Sequence, residues 1–248
     1  MVNAVKKLLK RVIVAAAVIL GCAYFFGVGK FPDRKEILPQ SYREPSQVKC
    51  AVKPFEVKSG KLTYTVKPLY EYQLYGMIVS QHNSSSWWDY YHRVWKDSLN
   101  IKDIGVLWGD NLKTEVYKDM KFKSGAWTLY WYYPDAEVRS RFNETHGSNN
   151  HLLAADSAVI DAINKAHTGD QICFEGYLAE YGYPGWSRGT SISRTDTGSG
   201  ACEVVFVTEF KVLKQANVFW WKLLSCCRVT MVISFLLLVF LTVKYPLK

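Results

Sequence analysis

The chain has 248 residues, 31 Lys and Arg against 22 Asp and Glu, and 15% aromatic residues. Every acid lies between Asp33 and Glu209, and setting aside Lys6, Lys7, Lys10, Arg11, Lys222, Arg228, Lys244 and Lys248 leaves 23 basic residues against 22 acidic ones. The surplus charge belongs to the two ends, and a middle of net +1 lacks the basic footprint of a nucleic-acid binder.

Four basic residues precede an uncharged apolar run, which predicts a cytoplasmic tail over 1–11 and a transmembrane helix over 12–29. A lipoprotein signal cleaved before Cys22, after Ile19-Leu20-Gly21, is the open alternative; Ala23-Tyr24-Phe25-Phe26 carries the apolar run past that point and favours an uncleaved anchor. Pro32, Pro39, Pro45 and Pro54 amid mixed charge predict an extended stalk over 30–61. The folded extracytoplasmic, β-rich domain is then expected over 62–217.

Within it, residues 62–67 and 70–80 alternate in character and are rich in Tyr, Thr, Leu and Val, the pattern of half-buried strands, followed by a polar loop over 81–86. The aromatic cluster from Trp87 to Trp95 has three open readings: ligand or glycan stacking, contact with a membrane interface, and core packing. Trp87 and Trp88 are its ligand-binding candidates. A strand is expected over 101–108, and a hairpin over 121–133 turning at Ser124-Gly125.

Apolar residues at helical spacing predict one principal helix over 152–167, with Gly169 as its stop. Strands follow over 171–178, 202–208 and 210–213, separated by a Gly- and Ser-rich stretch. Residues 218–244 read as an interfacial segment carrying Trp220 and Trp221 followed by a second transmembrane helix, and 245–248 as a cytoplasmic tail. The fold class is α+β, mainly antiparallel β, flanked by two transmembrane helices. The stretch 169–178 with the later strand 203–207 resembles the strand pattern of small OB-like barrels in the C-terminal half.

The densest polar and flexible segment, 188–203, offers Arg188, Arg194, Asp196 and Glu203 as ligand-binding candidates, since paired guanidinium groups can hold a carboxylate or phosphate. A long hairpin loop pinned by Arg194 on Asp196 or Glu203 is the plainer reading. Histidine chemistry is conceivable around His146, His151 and Asp156, but no His-Glu-x-x-His or Gly-x-Ser-x-Gly motif occurs. Asn149, Asn150 and His151 therefore read as loop or capping residues, and no catalytic residue is assigned. Cys173 and Cys202 are the candidate disulfide, with two buried thiols as the alternative. No metal site or cofactor is expected.

The motifs Ile104-Gly-Val-Leu-Trp-Gly-Asp-Asn111, Ser148-Asn-Asn-His-Leu-Leu153 and Arg194-Thr-Asp-Thr-Gly-Ser-Gly-Ala-Cys-Glu203 resemble those of the ectodomains of uncharacterised bacterial two-span membrane proteins. The resemblance implies a bacterial envelope setting and carries no activity. Topology and charge lead to an inner-membrane, two-pass protein with cytoplasmic termini, whose central domain is a binding or assembly module for a membrane-protein or envelope partner. An envelope hydrolase or transferase using His and carboxylate residues, and an OB-like oligonucleotide binder, are the alternatives. The sequence leaves ligand, partner, oligomeric state and process open.

Overall fold

The computed structural model describes residues 2–198 and 200–246. In chain order the elements are α1 (Val2–Phe26), β1 (Ser46–Lys49), β2 (Phe55–Ser59), β3 (Leu62–Asn83), α2 (Tyr91–Val94), β4 (Asn100–Leu107), α3 (Gly109–Lys113), β5 (Lys121–Gly125), β6 (Thr128–Tyr132), α4 (Ala136–Arg141), β7 (Gly147–Leu153), α5 (Ser157–Lys165), β8 (Gln171–Tyr183), β9 (Trp186–Arg188), β10 (Cys202–Lys214) and α6 (Val218–Lys244). They fall into two units, the paired terminal helices and residues 31–216.

Neither terminal helix contains an acid or a proline, so nothing in α1 or α6 interrupts the backbone ladder, and both are long and apolar enough to cross a membrane. They run antiparallel: Lys6 Nζ donates to the Tyr245 carbonyl at 2.5 Å, and Arg228 Nη2 donates to Tyr24 Oη at 2.9 Å. Asn217, in the left-handed region at φ 55°, precedes α6.

The second unit is a mixed α+β domain on a mainly antiparallel sheet. Its centre is a closed circuit: β3 pairs with β4, β4 with β7, β7 with β10, β10 with β8, and β8 returns to β3. Only β7 and β10 are parallel among these pairs. One long strand can serve two neighbours because β3 bends at register shifts between Pro68 and Tyr70 and between Ile78 and Ser80, where an extra residue increases the local twist. Gly176 allows β8 to approach β10 closely, since a Cβ there would sit 2.1 Å from the Phe206 carbonyl oxygen.

Alternate residues of the circuit point inward. Tyr72, Leu74, Ile104, Val106, Leu152, Phe174, Val205 and Val207 form the inner core, with Val159 and Ile163 of α5 packed on it. α5 starts at Asp156, whose Oδ1 accepts from the Ala158 and Val159 N–H groups, and ends where Lys102 Nζ donates to the carbonyls of Ile163, Asn164 and Ala166 at 2.7, 3.2 and 3.1 Å. The outward residues of β3, β4 and β7 are covered as well, by two further apolar clusters that include Leu107, Met77, Leu112 and Tyr117 on one side and Tyr64, Leu99, Leu153 and Trp127 on the other. That double covering is why β4 and β7 are buried almost throughout.

Several expectations change. The segment 30–61 is part of the folded unit and not a stalk: β1 and β2 pair with β3, Ile37 is buried, and Gln171 bonds to Leu38 N and Glu36 O. Its prolines fall outside the strands, Pro32, Pro39 and Pro45 before β1 and Pro54 between β1 and β2, where a missing N–H interrupts no ladder. The two strands expected before residue 80 are one, continuing through the expected polar loop to Asn83. The hairpin turns at Ala126-Trp127, and the helix begins at Ser157 because Leu152 and Leu153 belong to β7. The disulfide does not form, and both thiols are free. β8 and β10 are neighbours, but Cys173 opposes Lys211, nine residues beyond Cys202, which lies instead beside Asn149.

Candidate functional site

Three neighbouring strands put an acid, an imidazole and a thiol on one outward face of the circuit. Asp103 of β4 is the register partner of His151 of β7, and the parallel pairing sets Cys202 opposite Asn149 and Val204 opposite His151. Asn149, His151 and Cys202 therefore share a face, and Asn149 Nδ2 donates to Cys202 Sγ at 3.5 Å. His151 Nδ1 lies 2.7 Å from Asp103 Oδ1, and Cys202 is near enough to the ring to contribute to its raised pKa.

Asp103 is fully buried and held from three sides. Oδ1 also accepts from Asn100 Nδ2 at 2.8 Å, and Oδ2 accepts from the Trp127 backbone N–H at 2.8 Å. Trp127 makes that bond from the left-handed region at φ 62°, a strained conformation for an aromatic residue. Its ring covers His151, with centroids 4.4 Å apart, and the Arg188 guanidinium lies 4.0 Å from the Trp127 ring centroid. Burial works to raise the Asp103 carboxyl, but the adjoining His151 charge and the hydrogen bonds from His151 and Asn100 outweigh it and hold the group below the usual range. For His151, burial disfavours the charged ring, while the Asp103 carboxylate and the hydrogen bonds to Asp103 and Cys202 prevail and push it up to about 9.

A second polar cluster joins this one through Asn100, whose Nδ2 also donates to His92 Nε2 at 2.9 Å. His92 Nδ1 and His82 Nε2 both lie 2.6 Å from one oxygen of Asp89, Oδ2, and Asp89 Oδ1 accepts from the His92 backbone N–H. Asp97 accepts from Tyr181 Oη at 2.8 Å, and burial raises its carboxyl, the Tyr181 bond opposing. His92, Asp97 and Asn100 line a cavity of about 610 Å³ that also carries Lys61, Arg93 and Lys96.

The residues singled out in the sequence are distributed differently. Arg188 reaches the Trp127 side of the site. Arg194 and Glu203 pair on the inner side, Nη1 and Nη2 each 3.0 Å from Oε1, with the guanidinium also donating to Tyr72 Oη. Burial pushes Glu203 up to about 7 against the pull of Arg194. Asp196 is exposed and accepts from Ser191 Oγ. Trp87 and Trp88 are 68% and 74% exposed, with ring centroids 3.6 Å apart, so core packing does not describe them.

His146, His151 and Asp156 are not brought together. His146 pairs with Glu44, Asp156 caps α5, and His151 faces Asp103. Asn149, Asn150 and His151 lie in a buried strand, not in a loop or cap. Sequence reasoning missed Asp103, Cys202 as a histidine partner, and the grouping of His82, Asp89 and His92. The one available signal was an acid in the middle of the apolar strand 101–108.

No family model, curated protein or solved structure matches the chain.

Proposed function

We propose that the protein is a membrane-tethered hydrolase or acyl transferase that uses Cys202 as nucleophile, His151 as the group that carries the proton between thiol and leaving group, and Asp103 as the carboxylate that orients the ring. The observation that carries this reading is the placement of Asp103, His151 and Cys202 side by side on one outward face, with His151 Nδ1 2.7 Å from Asp103 Oδ1, the residue types that nucleophilic triads combine. In the first step Sγ bonds to a substrate carbonyl carbon with the one proton of the Cys202–His151 pair already on the ring, which is protonated below about pH 9, and the leaving alcohol, thiol or amine takes that proton from His151. Water, or a second acceptor, then attacks the thioester, gives its proton to His151 and releases the thiol. Asn149 Nδ2, already beside Sγ, is the side-chain donor nearest the developing oxyanion.

Two further inferences frame the reaction. The circuit β3-β4-β7-β10-β8 with its single parallel pair, and α5 between its third and fourth strands in chain order, supports an OB-like barrel. The antiparallel apolar helices and the basic residues in the first half of α1 support a two-pass protein with cytoplasmic termini and the domain outside an inner membrane.

The test uses the full chain in detergent. Incubation with a p-nitrophenyl ester is expected to leave an acyl adduct on Cys202 detectable by mass spectrometry, absent in Cys202→Ser and slowed at least tenfold in His151→Asn. Equal ester turnover in wild type and both variants, with no adduct, refutes the reading. A second reading, a binding or assembly module for an envelope partner, is favoured by the exposed Trp87–Trp88 pair. Site-specific photocrosslinking from position 88 in intact membranes checks it, a single crosslinked band being expected.

A further inference from the structure

We propose that His82, Asp89 and His92 form a binding site for a divalent transition metal of the zinc class. The proposal stands on geometry separate from the thiol chemistry above. One donor atom from each residue, His82 Nε2, Asp89 Oδ2 and His92 Nδ1, lies within 4.8 Å of the other two. Two imidazoles and one carboxylate are the donor set of zinc centres that keep a fourth position open. Calcium and magnesium are a poor match, because they require six or more oxygen ligands and this cluster supplies one carboxylate.

The three donors are held before any ion arrives. His82 sits near the end of β3 in register with Asp103 of β4, so a strand ladder fixes its backbone. Asp89 and His92 are three residues apart, and the Asp89 Oδ1 bond to the His92 N–H locks that turn. Asp89 and His92 are both buried, while His82 is 21% exposed in its side chain, leaving one edge of the cluster toward solvent. Two ring N–H groups converging on a single carboxylate oxygen is the arrangement that a cation shared by all three would replace.

The outer partners also fit. A metal on His92 Nδ1 leaves the ring proton on Nε2, which then needs an acceptor, as metal-bound imidazoles generally have. Asp97 Oδ2 stands 3.9 Å from that nitrogen and is the acceptor to hand, while Asn100 Nδ2, which donates to Nε2 at 2.9 Å, gives way when the ring proton moves there. His92 also lines the 610 Å³ cavity, which provides space for an exogenous ligand beside the cluster.

The experiment takes the full chain in detergent, strips it with chelator, and titrates it with Co²⁺ while following visible absorption, alongside elemental analysis of the protein as purified. About one zinc per chain and saturable cobalt bands are expected, with at least a tenfold loss of affinity in Asp89→Asn and His82→Asn and none in His146→Asn. The stripped wild type supplies a readout that does not depend on any variant folding. No saturable cobalt binding by the wild type, or binding unchanged in folded Asp89→Asn and His82→Asn, overturns the proposal. Iron in place of zinc overturns the assignment of metal class. Acylation of Cys202 is scored separately, so loss of one reading leaves the other standing.

Discussion

His151 and Asp103 face each other across a strand pair, 2.7 Å apart from Nδ1 to Oδ1, with both side chains closed off from solvent. The pair couples protonation to folding. The folded ring titrates near 9 against an ordinary value of 6.5, so its stabilisation is fully present below about pH 6.5 and is lost as pH rises through 9. Wild-type unfolding free energy should fall across that window by on the order of 3 kcal/mol. Asp103→Asn should be less stable at pH 6.5 and lose most of that slope, as measured by denaturant unfolding at a series of pH values.

Cys202 should be the thiol most sensitive to its neighbours. Iodoacetamide labelling followed by peptide mapping is expected to show His151→Asn slowing modification of Cys202 about tenfold or more, with Cys50 unaffected. Cys173, buried and raised by that burial, should label slowly in both proteins. Equal Cys202 rates would separate the thiol from its imidazole.

Lys102 caps a helix from inside the barrel. Its ammonium donates to three carbonyls at the end of α5, so Lys102→Met leaves buried acceptors unsatisfied. A loss of about 2 kcal/mol is expected, read as a shift in denaturation midpoint without a change in slope.

Gly176→Ala should be costly for a steric reason alone. The added Cβ would lie 2.1 Å from the Phe206 carbonyl oxygen, a backbone atom that cannot rotate away. Thermal unfolding should report a destabilisation of about 2 to 3 kcal/mol, whereas Gly189→Ala, with nothing within 4 Å, should be close to neutral.

Much of the strand content was legible because Tyr, Val and Ile alternate or cluster over β3, β4, β8 and β10, and pleat periodicity depends only on neighbours along the chain. The apolar runs made the terminal helices legible, but not their bounds: α1 extends back through Lys6, Lys7, Lys10 and Arg11 to Val2, over the segment expected as a tail, and stops at Phe26. The site was not legible. Ser148-Asn149-Asn150-His151 reads as a loop when polarity is taken as exposure, yet in β7 both faces are covered, Asn150 bonds to Ser148 within the strand, and Asn149 and His151 reach Cys202 of β10 and Asp103 of β4. Asp103 looked like an isolated charge because its partner lies 48 residues away. The disulfide expectation had the right neighbouring strands and the wrong register, which no local pattern in β8 or β10 encodes. The prolines between residues 32 and 54 did mark breaks, but they could not say that the short segments between them would add to the edge of β3.

The parallel junction of β7 with β10 has a consequence for biogenesis. Asp103 and His151 can meet as soon as β4 and β7 have been synthesised and paired, but Cys202 opens β10, the last strand of the circuit to leave the ribosome. A nascent chain therefore pairs Asp103 with His151 before Cys202 is in reach, and the three side chains share a face only once β10 closes the circuit.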